Sequence, residues 1–126
     1  MLTDPAPENI ERLALALKDL GAQLLGVDAD LLGIDPTDPH DLANGANFTL
    51  TTTAGRLDIF TDPAHLKGSP AWEDVDRRAL SIDVGTQAPI RIVGLDDLLQ
   101  MKSAAGRDRD LKDIAALTHR DPPDPR

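Results

Sequence analysis

NFTLTTTAGRLDIFTD, residues 47–62, reads as a β-hairpin. The β-favouring run Phe48 to Thr52 meets a turn at Thr53 to Gly55, and Arg56 to Phe60 returns. Alternation along the returning strand puts Leu57 and Ile59 on one face and Arg56, Asp58 and Phe60 on the other. Asp58 therefore belongs to a strand rather than to the turn, although Leu57, Ile59 and Phe60 surround it in sequence. Two readings of it stand: a carboxylate on the wet face of a sheet, or a metal ligand on a sheet face.

On the N-terminal side of the hairpin, LLGVDADLLGIDPTDPHDLANGAN is rich in turn residues, with short apolar runs. From Gln23 to Ala46 it predicts one brief strand and a long loop, a length that in a compact domain goes with function or mobility. His40 in this loop has no second His, Cys or close Glu at ligand spacing, so its reading is a solvated side chain. Before the loop, Ile10, Leu13, Leu17 and Leu20 recur at helical spacing and predict a helix over Glu8–Leu20, with Pro7 near its first turn and Gly21 as its stop.

On the C-terminal side, Trp72–Ala79 predicts a short helix. Strands follow at Leu80–Val84 and Ile90–Val93, joined through GTQAP. Two helices close the domain: Leu95–Ala105 with Leu95, Leu98 and Leu99 inward, and Arg109–Thr118 with Leu111, Ile114 and Leu117 inward, separated by Gly106. The tail DPPDPR has no apolar anchor, so residues 119–126 are expected to be disordered. At 126 residues, with Phe48, Phe60 and Trp72 as the aromatic residues, the chain suits one domain over residues 1–118 with one modest aliphatic core. The expected class is α+β: a small mixed or antiparallel sheet with helices packed beside it.

Composition excludes several functions. The formal net charge is −9, from 22 acidic and 13 basic residues, which argues against general coating of nucleic acid. With no cysteine, there is no disulfide frame, thiol nucleophile or thiolate metal site, in agreement with a cytoplasmic location. No apolar stretch approaches the ~18 residues of a membrane span.

Against that acidic background LLQMKSAAGRDRDLKD, residues 98–113, gathers Lys102, Arg107, Arg109 and Lys112 beside Asp108, Asp110 and Asp113. Pairs three or four residues apart, such as Arg109 with Asp113, fit an ordinary solvated helix surface. Lys102 follows Leu98 and Leu99 by three or four residues, which puts its stem beside the core and its amine at the rim. There it can meet a phosphate as a point charge, while arginines at a helix junction bind phosphate bidentately.

The order PENIERLALALKDLGA, ANFTLTTTAGRLDIF, IRIVGLDDLLQMKSAAGRDRDLKDIAAL resembles small bacterial nucleotidyltransferases of the DNA polymerase β superfamily, in particular relatives of the toxins of abortive-infection toxin–antitoxin pairs. The resemblance spans about Asp4 to Leu117. Its most specific portion is a lysine, an arginine and then Arg-Asp-x-x-Asp, here Lys102, Arg107, Arg109, Asp110 and Asp113. It implies that Asp58 stands at the third catalytic, metal-binding carboxylate. It also implies that Lys102, Arg107 and Arg109 contact phosphate, and that Asp110 and Asp113 orient these cations or the acceptor. In such enzymes three carboxylates hold two Mg²⁺ ions that activate the acceptor oxygen and neutralise the triphosphate.

Such proteins carry a Gly-Ser or Gly-Gly turn and an Asp-x-Asp strand just before the helix that here begins at Glu8. MLTDPAPEN offers no counterpart, and Asp4 falls in the loop after that strand. Either the start lies further upstream, or a short protein has kept the scaffold and lost the catalysis. For the complete protein the resemblance implies transfer of a nucleotidyl group from a nucleoside triphosphate to RNA, protein or a small molecule. For this chain it implies little or no activity and weak or absent Mg²⁺ binding, so enzyme status stays open. The competing reading is a non-catalytic module that binds a protein or a nucleotide. Partners then include a nucleoside triphosphate, an antitoxin or other protein, and a second copy of the chain, since loss of a first strand would leave a bare sheet edge.

Overall fold

The computed structural model describes residues 1–26, 29–45, 47–61 and 67–119. The tail expected to be disordered lies, from residue 120 on, outside the described residues. The fold is α+β, with five α-helices and two small antiparallel sheets among the described residues. The chain divides into two compact units, Met1–His65 and Leu66–Arg126.

In the first unit, helix α1 spans Pro7–Asp19. Proline opens it where a missing N–H is harmless, with Glu8 in the first turn and Lys18 in the last, each complementing the helix dipole. Ile10, Ala14 and Leu17 form its buried stripe. Strand β1 is Gln23–Leu24, and the hairpin follows as β2 (Asn47–Thr52) and β3 (Gly55–Phe60). The sheet order is β1-β2-β3, antiparallel throughout. Thr53 and Ala54 keep negative φ, and the positive value falls on Gly55, at 115°. The cross-strand pairs Phe48–Ile59 and Leu50–Leu57 turn to the helices. Phe48, Leu50 and Ile59 join Ile10, Ala14, Leu17, Ala22 and Leu42 in one apolar core. The alternation read from the sequence thus holds residue by residue.

The segment read as a long loop contains more structure than expected. A 3₁₀ turn occupies Ala29–Leu31, and helix α2 spans Pro39–Asn44. The Asp38 carboxylate caps α2 by accepting from the backbone N–H of His40 and Asp41, at 2.7 and 3.3 Å, with Pro39 behind it. Six residues with one buried side chain, Leu42, leave no periodicity to read.

A further contact borders the hairpin. Residues 1–3 run parallel to the end of β3, with Leu2 opposite Phe60. The Phe60 N–H donates to the Met1 carbonyl at 2.8 Å, and the Thr3 N–H donates to the Phe60 carbonyl at 3.0 Å. The edge expected to be bare is therefore covered at its Phe60 end.

In the second unit, helix α3 is Trp72–Arg78, strands β4 (Leu80–Ile82) and β5 (Ile90–Ile92) pair antiparallel, and helices α4 (Leu95–Ala105) and α5 (Asp108–Thr118) follow. The Arg91 guanidinium reaches back to α3, where it contacts the Asp76 carbonyl and carboxylate. The expected apolar stripes hold in part: Leu98, Leu99, Ile114 and Leu117 are half-buried. Leu95 and Leu111 are exposed, whereas Asp97 and Asp110 are buried, at 3% and 2% exposure. Each buried carboxylate has an arginine partner, and that pairing is what makes its burial tolerable.

Candidate phosphate site at the α4–α5 corner

Gly106 ends α4 in the left-handed conformation, φ 62°, and its N–H donates to the Lys102 carbonyl at 2.9 Å. A Cβ-free residue reverses the chain here at little cost. The reversal sets α5 beside α4 and delivers Arg107 as the extended residue that precedes α5.

Asp110, three residues into α5, turns back on Arg107. Its carboxylate accepts from the Arg107 backbone N–H at 3.2 Å, from Nε at 2.6 Å and from Nη2 at 3.3 Å. These bonds hold the Asp110 carboxyl below the usual carboxylate range against the opposing effect of burial, with the nearby charges of Arg107 and Lys102 assisting. The same pairing raises Arg107 above its ordinary value.

Lys102 spans the two helices. Its Nζ donates to Asp113 Oδ2 at 2.8 Å and lies 3.9 Å from Asp110 Oδ1. The Lys102 side chain is 23% exposed, Asp113 51% and Asp110 3%. Arg109 is exposed, and among the described residues it forms no ion pair.

The structure thus brings Lys102, Arg107, Asp110 and Asp113 into one network at a single corner. The sequence reading paired Arg109 with Asp113, but Asp113 is taken by Lys102 from the neighbouring helix. Spacing along one helix carries no signal for a partner eleven positions away across a turn.

Asp58 belongs to the first unit. It lies on β3 opposite Thr49, on the face turned away from the core, 53% exposed and 3.6 Å from the Arg56 Nε. The Met1 ammonium donates to the Asp58 backbone carbonyl at 2.7 Å. Burial lowers the pKa of that amine, and the Asp58 charge opposes the shift. Among the described residues no group of three His, Cys, Asp or Glu side chains is arranged to hold a metal ion. Asp58 therefore has no assembled ligand set around it among the described residues.

The sequence reading missed the pair Arg78–Asp97. Arg78 Nε and Nη2 donate to the two Asp97 carboxylate oxygens at 2.9 and 2.7 Å, tying the end of α3 to the first turn of α4. The hydrogen bonds from Arg78 lower Asp97 below the ordinary carboxylate value despite its burial. Its only trace in the sequence is an aspartate in the first helical turn, where surface aspartates are also favoured.

Compared with family models, curated proteins and solved structures, the chain matches none of them.

Proposed function

We propose that this chain is a nucleotidyltransferase-like scaffold whose α4–α5 corner binds the phosphates of a nucleoside triphosphate. The carrying observation is the convergence of Lys102 and Arg107, with Arg109 adjacent, at one helix junction of a chain with net charge −9. Lys102 acts as a point charge, Arg109 supplies an exposed guanidinium, and Asp110 orients Arg107. Asp58 keeps the role of a metal-binding carboxylate for a form of the protein that supplies further carboxylates beside it.

The parallel register at β3 gives that role a geometric basis. With Leu2 opposite Phe60, a strand extended ahead of Met1 in the same register would set its last residue opposite Asp58. Alternate residues of that strand would share the Asp58 face. An Asp-x-Asp ending directly before Met1 would then present both carboxylates on that face.

For the chain as it stands, the second reading, a non-catalytic module that binds a nucleotide or protein, is favoured by one observation: Asp58 lies in no three-member ligand group among the described residues. Calorimetry with each nucleoside triphosphate, with and without Mg²⁺, separates the readings. Weak binding that is indifferent to Mg²⁺ and lost in the Lys102→Met, Arg109→Met double variant is expected. Tight, Mg²⁺-dependent binding would show a complete metal site and restore the enzyme reading; no binding at all would remove the phosphate assignment.

A further inference from the structure

Lys102 is held by two carboxylates of very different freedom. Asp110 is almost wholly buried and fixed by three hydrogen bonds from Arg107. Asp113 is half exposed, and among the described residues its recorded partner is the Lys102 amine, at 2.8 Å. One carboxylate is part of the helix start. The other can rotate into solvent at little cost, because an exposed ion pair contributes little to stability.

A phosphate oxygen and the Asp113 carboxylate make the same demand on Lys102: an anionic acceptor within hydrogen-bond distance of Nζ. The Lys102 side chain is partly covered, at 23% exposure, and its amine already lies between Asp113 and Asp110, at 2.8 and 3.9 Å. From this geometry we infer that Asp113 is an internal competitor for the phosphate site, a carboxylate that occupies Lys102 in the resting chain and must swing away when a polyphosphate binds. The inference rests on the phosphate reading of the α4–α5 corner. It assigns Asp113 a role opposite to that of Asp110: Asp110 positions a cation, whereas Asp113 withholds one. Binding is then weakened by the stability of the Lys102–Asp113 pair, which gives the corner a threshold that favours multiply charged phosphates over monovalent anions.

The test is titration of the full chain with inorganic tripolyphosphate at low ionic strength, in the wild type and three variants. Asp113→Asn keeps the shape of the side chain and removes its charge. Asp108→Asn removes the same charge from the same helix, and among the described residues Asp108 forms no ion pair with Lys102. Lys102→Met removes the contested cation. The expected result is about two- to five-fold tighter binding in Asp113→Asn, the scale of losing one exposed ion pair, a smaller gain in Asp108→Asn, and strong weakening in Lys102→Met. If Asp113→Asn and Asp108→Asn gain equally, or Asp113→Asn gains nothing, while Lys102→Met still weakens binding, the competition is overturned and the phosphate reading stands. If tripolyphosphate binds to no form, both fall together.

Discussion

Gly45 shows how one residue without a side chain fixes a local arrangement. Its backbone is in an ordinary extended conformation, φ −94°, so the constraint there is space and not strain. A Cβ at this position would lie 2.2 Å from Cζ and 2.7 Å from Cε2 of Phe48, a ring that is 4% exposed within the core. The ring is packed against Gly45, and displacing it disturbs Ile59, its partner across the hairpin. Gly45→Ala is therefore expected to destabilise the chain by about 1–3 kcal/mol, the range for overpacking a filled core. Thermal unfolding checks this, with a fall in midpoint expected and an unchanged midpoint showing that the ring has room to yield. Asp58 stands at the opposite extreme, since half of its side chain faces water and nothing in the core depends on its charge.

At the scale of elements, the second unit is tied together by charge where the first relies on apolar contact. Arg78–Asp97 joins α3 to α4, Lys102–Asp113 joins α4 to α5, and Arg107–Asp110 secures the start of α5. Asp97 and Asp110 both have folded-state values depressed below the ordinary carboxylate range. A depressed carboxyl contributes stability that is present above its unfolded value, near pH 4, and is lost as pH falls through the lower folded value. Stability is therefore expected to decline below about pH 4. In Asp97→Asn and Asp110→Asn the plateau near neutral pH should be lower and the acid decline shallower. Chemical denaturation repeated from pH 7 down to pH 2.5 reads both effects. An acid decline of the same steepness in both variants would mean that other carboxylates carry it.

Across the whole molecule, the two units differ in how much they bury. The first has a contiguous core in which Leu17, Leu42, Leu50 and Ile59 are each no more than 1% exposed. In the second, Val75 is the one buried hydrophobic side chain among the described residues, and the β4–β5 ribbon carries Leu80, Ile82, Ile90 and Ile92 at 43–61% exposure. Two three-residue strands without a buried face are marginal by themselves. Hydrogen exchange should therefore divide the chain: slow exchange for the inward amides of β2 and β3, and exchange faster by at least an order of magnitude for β4 and β5, as expected for backbone with little apolar cover. Equal protection of both sheets would show that the ribbon is covered in solution.

The sequence by itself determined the elements whose signal is local and periodic. Alternation fixed the hairpin and put Asp58 on the outer face of β3, and 3.6-residue spacing fixed α1, because side-chain direction in these elements follows from backbone period alone. Gly106 marked the break between α4 and α5, since a left-handed residue there asks for glycine. The short helix α2 escaped because one buried leucine makes no period, although Asp38-Pro39 was a usable start signal. Tertiary structure alone decided the rest. Leu95 and Leu111 turned outward and Asp97 and Asp110 inward, each carboxylate held by an arginine; for Asp97 that arginine stands nineteen residues away, which no hydropathy pattern encodes, whereas for Asp110 it stands only three residues before. At the candidate site the sequence supplied Lys102, Arg107, Arg109, Asp110 and Asp113 as a list; Arg107 meets Asp110 within one turn, but only the chain reversal at Gly106 decided that Lys102, and not Arg109, takes Asp113. Ion pairing is set by distance in space, and a linear pattern records that distance only within one element.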